Sequence, residues 1–144
     1  MINTLNPDED TERKLKFLYS QTGIDRRYTV LESFKNSDNF HLKNEKEEFL
    51  GTAERMKIYE NNALDLALKS LKGIDKDTLD QVTHIITFSC TGMYAPGLDI
   101  DLIHKLDLNP QIQRFAINFM GCYAGVSAIK MADQIARSHS NATI

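Results

Sequence analysis

A chain of 144 residues, 42% hydrophobic and 26% charged, has the makeup of one ordinary globular domain. Its net charge of −3 lacks the basic excess that a general nucleic-acid surface needs, and no run approaches the ~20 consecutive apolar residues of a membrane span. The two cysteines, Cys90 and Cys122, are too few for a secreted disulfide scaffold, and the polar, acidic start is no signal peptide. The expectation is a cytoplasmic protein, off the membrane, whose cysteines are free thiols rather than a disulfide. His41, His84, His104 and His139 show no ligand spacing with them, so no metal site is expected.

In chain order, residues 1–10 read as a flexible lead, with Asp8 or Asp10 as the N-cap of a short helix over 11–21 that carries Leu15, Leu18 and Tyr19 on one side. Gly23 ends it, residues 24–31 read as extended, and 33–46 as a polar loop. Thr52 is the expected N-cap of a clearer helix, with Met56, Tyr59, Ala63, Leu66, Ala67 and Leu71 at helical spacing and Gly73 closing it. The β-branched, mostly apolar stretch 82–88 suits a buried parallel strand, with His84 a structural residue at the sheet surface. Small residues follow, then Pro96-Gly97 and a short helix over 99–106. Asn109-Pro110 marks a turn, 114–119 a second strand, Gly121-Cys122 a sharp junction, and 124–137 a buried helix. This alternation implies an α/β fold with parallel strands joined by helical crossovers. A further strand is expected to begin at residues 141–144.

The informative constellation is strand, Gly121-Cys122, helix. It puts a thiol where unpaired helical N–H groups favour thiolate, and where such groups can donate to an oxyanion on an attacked thioester. Glycine before it permits the tight turn. A cysteine in an apolar stretch is also commonly a small, inert core residue, and position alone leaves both readings open.

The segment Arg114-Phe115-Ala116-Ile117-Asn118-Phe119-Met120-Gly121-Cys122-Tyr123-Ala124-Gly125 resembles the active-site segment of chalcone synthase and other type III polyketide synthases. Residues 82–92, Ala95-Pro96-Gly97 and Arg26-Arg27-Tyr28 are similar to the same family in order and spacing. The resemblance runs from about Lys14 to Ile144. It implies the N-terminal half of a layered, thiolase-like α/β/α fold as a single incomplete domain, with the family's first strand absent. It implies acyltransfer between acyl-CoA and malonyl-CoA by decarboxylative Claisen condensation in polyketide biosynthesis, in a homodimer. CoA thioesters are then substrates, with no cofactor.

By the same resemblance Cys122 is the acyl-carrying nucleophile, and Cys90 and Thr91 line the acyl cavity. Cys90 stands where chalcone synthase has a hydroxyl residue. Ala95 matches a methionine that in plant enzymes reaches across the dimer, and alanine is too short to do so. Phe119 and Met120 replace polar residues and make the pocket more apolar. Lys14 matches a basic residue that grips CoA phosphates, while Phe17 and Gln21 stand where the family has other basic residues. The family's catalytic histidine and asparagine match no position in this chain, so the 144 residues alone are expected to turn over nothing. Two alternatives stay open: a ketoacyl-carrier-protein synthase III-like condensing enzyme, which shares the fold and the Thr22-Gly23-Ile24 segment, and a non-catalytic α/β association module.

Overall fold

The computed structural model describes residues 7–26, 28–31, 49–90 and 92–144. The chain divides into two compact units, Met1–Leu50 and Gly51–Ile144. In the first, α1 spans Glu9–Gln21 and starts two residues earlier than the sequence suggests. The reason is its cap: Asp8 Oδ1 accepts from the Thr11 N–H at 2.8 Å, and Glu9, Asp10 and Glu12 favour the positive end of the helix dipole. Hydrogen bonds from the Thr11 amide and hydroxyl hold the Asp8 carboxyl below its usual range. Gly23 follows in the left-handed region at φ +62°. The segment expected to be extended forms no strand among its described residues, and the expected loop over 33–46 lies outside them, as do residues 1–6.

The second unit opens with α2, Thr52–Ser70. Its cap is Gly51, not Thr52, because the Glu54 carboxylate reaches back to accept from the Gly51 N–H at 2.7 Å. Ala63 is buried at the centre of the helix, whereas Leu66, expected on the same stripe, is exposed. A short helix α3, Lys76–Asp80, follows; five residues are too few for periodicity to announce it. Asp75 caps it by accepting from the Thr78 N–H, and Lys76 Nζ donates to the carbonyls of Leu106 and Asp107.

Strand β1, His84–Ser89, leads through α4, Leu98–Leu106, to β2, Gln113–Asn118, and then to α5, Ala124–Ser138. The strands are parallel, with His84 opposite Gln113 and Ser89 opposite Asn118. Successive side chains of a strand face opposite ways, and β1 divides accordingly. Ile85 packs with Val82 and Leu106 on the core of Ile103, Leu108 and Ile112, on the α4 side. Phe88 lies against Gly125 of α5, and His84 stacks on Phe115 and meets His139, the residue after α5, at 5.9 Å between ring centroids. The helices α4 and α5 thus cover opposite faces of the strand pair, and α2 packs on α4.

Two expectations change here. His84 is not at the sheet surface: it is 4% exposed, because α5 and its C-terminal turn close over it. α5 is not buried throughout. Ala124 and Ala128 are covered, while Val126 and Ile129 face outward, Ile129 at 71% exposure. At the chain's end, the Thr143 carbonyl accepts from the N–H groups of Thr83 (2.8 Å) and His84 (3.1 Å), so the segment expected to begin a strand lies beside the entrance of β1. No described helix is long and apolar enough to cross a membrane.

Candidate functional site

Parallel strands deliver their outgoing loops to one edge of the sheet, where α/β proteins commonly bind ligands. Because Ser89 is opposite Asn118, the chain leaves β1 and β2 side by side. Cys90 is the first residue past β1. The segment past β2 turns sharply: Phe119 and Gly121 both have left-handed backbones, at φ +58° and +78°. Phe119 is therefore outside the strand expected to hold it, in a conformation that costs a non-glycine residue about 1 kcal/mol or more. Gly121 is needed for its φ rather than for space, since an added Cβ would meet nothing closer than 3.9 Å. The Ala124 N–H then donates to the Gly121 carbonyl, and the Ser127 N–H to that of Tyr123, which starts α5.

Cys122 thus sits in the turn entering α5, and it is exposed rather than packed as a core residue. The half-buried Cys90 donates its S–H to Cys122 Sγ at 3.4 Å. That hydrogen bond, followed by desolvation and the charge of Cys122, pushes the Cys90 thiol up. The arrangement is an exposed sulfur at a helix N-terminus, accepting a hydrogen bond from a neighbouring thiol.

A cleft of about 300 Å³ is lined by Thr52, Arg55, Met56, Tyr59, Ser89, Gly92 and Phe119, so it borders the cysteine segments through Ser89 and Phe119 without either sulfur in its wall. A second, of about 180 Å³, shares Gly92 and Tyr59 and continues along Tyr94, Pro96 and Asn118. Of the residues singled out in the sequence, Cys90 and Cys122 meet, and Phe119 lines the first cleft. Met120 is in the same turn, largely exposed. Ala95 is exposed between the cleft residues Tyr94 and Pro96. Thr91 lies outside the described residues. Lys14 is on α1 in the first unit, where its ammonium pairs with Asp10. His84 opens β1 and His139 follows α5, so both stand at the end of the strand–helix unit away from Cys122.

Three features of the site escape a reading of the sequence. Gly92 touches the Tyr59 ring so closely that a Cβ would lie 2.2 Å from a ring carbon. A glycine past a strand signals close approach but not by what. Gly92→Ala should displace Tyr59, narrow both clefts and lower stability by about 1–3 kcal/mol in a urea melt. Tyr94, in edge contact with Tyr59, donates its hydroxyl to Asp101 Oδ2 at 2.5 Å; burial first, then this bond, pushes its phenol up. Arg114 Nη1 meets Asp99 Oδ2 at 2.9 Å and ties α4 to β2.

Comparison with known proteins places the chain in a family. The family described as "Chalcone and stilbene synthases, N-terminal domain" matches residues 2–144. The chain is 28% identical to "Type III polyketide synthase A" of Arabidopsis thaliana over 140 residues, which is 95% of this chain and 35% of that protein. Its fold superposes with a TM-score of 0.63 and 27% identity on the C-terminal type III polyketide synthase domain of Steely1 from Dictyostelium, covering 97% of this chain and 38% of that one. It superposes with a TM-score of 0.64 and 26% identity on CsyB complexed with CoA-SH, covering 90% and 33%. The chain therefore spans about a third of the length of these three relatives. The helices on both faces of the parallel pair are part of a thiolase-like α/β fold, and the chain belongs to the family of chalcone and stilbene synthase N-terminal domains.

Proposed function

We propose that this chain is the nucleophile-bearing part of a type III polyketide synthase, an acyltransferase that condenses CoA thioesters. The observation that carries the reading is the exposed Cys122 sulfur at the entrance of α5, hydrogen-bonded by Cys90. The Cys122 thiolate attacks the carbonyl carbon of an acyl-CoA. The carbon–sulfur bond to CoA breaks, and CoA leaves as a thiol after taking up a proton. Malonyl-CoA then loses carbon dioxide, and its enolate carbon attacks the acyl carbon. A carbon–carbon bond forms and the Cys122 thiolate is released. Every step moves an acyl group, carbon dioxide or a proton, so the chemistry calls for no redox cofactor.

The family match and the CoA-SH complex of CsyB support CoA thioesters as substrates. Phe119 and Met120 favour an aliphatic starter at the pocket mouth. The whole protein works as a homodimer in the cytoplasm. The proton partner of Cys122 and the enolate-stabilising amide come from outside these 144 residues, so the chain alone turns over nothing.

Loading is the direct test. After incubation of the complete protein, of which these 144 residues are part, with a medium-chain acyl-CoA, peptide mass spectrometry should find the acyl group as a thioester on Cys122. Malonyl-CoA should then discharge it into a ketide product. An acyl group found on Cys90 or a lysine, with Cys122 unmodified, would overturn the reading.

A further inference from the structure

We propose that Cys90 and Cys122 form a reversible oxidation site: a hydroperoxide converts the pair to a disulfide, and a thiol reductant restores the dithiol. The two sulfurs are 3.4 Å apart and already share a hydrogen bond. A disulfide bond is about 2.05 Å long, so closing the gap takes only about 1.4 Å of movement, within reach of side-chain rotation. Both cysteines lie outside regular elements, one just past β1 and one in the turn before α5, so neither strand nor helix has to break for the sulfurs to meet.

The roles within the pair differ. Cys122 is exposed and meets a soluble oxidant first, whereas Cys90 is half-buried and resolves its oxidised partner. Cys122 attacks one peroxide oxygen and the oxygen–oxygen bond breaks. Cys122 becomes a sulfenic acid and one water or alcohol leaves. Cys90 then gives up its proton and attacks the Cys122 sulfur, the sulfur–oxygen bond breaks, water leaves, and the disulfide forms. The sulfurs are oxidised by two electrons and the peroxide is reduced by two. While the link stands, Cys122 cannot accept an acyl group. The link also stops its sulfur from climbing to sulfinic acid, which cellular thiols cannot reverse.

The geometry of the pair supports this inference whether or not Cys122 carries acyl groups, and the experiment keeps the two apart. Reduced protein is treated with about ten equivalents of hydrogen peroxide, enough to carry an unprotected thiol to sulfinic or sulfonic acid, then quenched with iodoacetamide and peptide-mapped. The expected product is one peptide pair joined through Cys90 and Cys122, lighter by about 2 Da than the dithiol and separated again by dithiothreitol. In Cys90→Ser the same dose should instead add about 32 or 48 Da at Cys122, not removed by dithiothreitol. The fraction irreversibly oxidised should exceed that of the unaltered protein by about tenfold or more. Unaltered protein whose Cys122 reaches sulfinic acid as fast as in the variant, with Cys90 still alkylated, would overturn the proposal, as would links from Cys122 only to another chain. Acyl loading is measured in parallel on reduced protein. A link without acyl loading counts against the condensing reading alone, and acyl loading without a link counts against this site alone.

Discussion

Replacing Cys122 by alanine should abolish acyl capture and lower condensation by the complete protein at least ~10⁴-fold in kcat/KM, the scale seen when a covalent nucleophile is removed. The side chain is exposed, so the stability measured by urea unfolding should change by less than about 0.5 kcal/mol. That combination separates lost chemistry from lost folding. Cys90→Ser makes the contrast: it replaces a weak S–H donor to the nucleophile by a hydroxyl donor and should still load acyl groups, with a change of only a few-fold. A Cys122→Ala protein that still carried a thioester would move the nucleophile elsewhere. Equal losses in both variants would mean that the pair acts as one unit.

The largest effect on stability is expected at Arg114, far in sequence from its partner. Asp99 is only 6% exposed, and Arg114 reaches it at 2.9 Å from the second position of β2. Arg114→Met would leave a buried carboxylate without its cation, at a cost of about 2–4 kcal/mol; the N-terminal turn of α4 softens the loss without cancelling it. Adding Asp99→Asn removes the stranded charge and should restore at least about half of the deficit. The urea midpoints of the single and double variants, at a constant slope, decide the matter. If both lose the same stability, the damage comes from packing around Arg114 and not from the unpaired charge. The pair also bears on the site, because it joins the helix and strand whose alignment brings the two cysteine segments together.

Much of the local structure was legible because it rests on local physics. The alternation of β-branched strands with helical stretches, the turn at Asn109-Pro110 and the start of α5 after Gly121-Cys122 all survive to within a residue or two. Caps were harder, since competition between neighbouring residues sets them: Glu54 reaching back selects Gly51 over Thr52, and Asp8 draws α1 out to Glu9. The thiol at the strand–turn–helix junction could be picked out because the glycine and the switch from strand to helix are themselves sequence features.

What no window of sequence carries is the approach of segments separated by a crossover. Cys90 and Cys122 are 32 residues apart, and their sulfurs meet only because the register sets Ser89 opposite Asn118, so that two loops leave one sheet edge together. The burial of His84 beneath the end of α5, the Tyr59 ring against Gly92 and the Arg114–Asp99 pair have the same origin. Chain order and residue chemistry determined which elements form and which sulfur stands at the turn into α5. Tertiary packing decided what stands next to that atom, because contacts across parallel strands depend on register and helix placement, which are properties of the whole assembled unit.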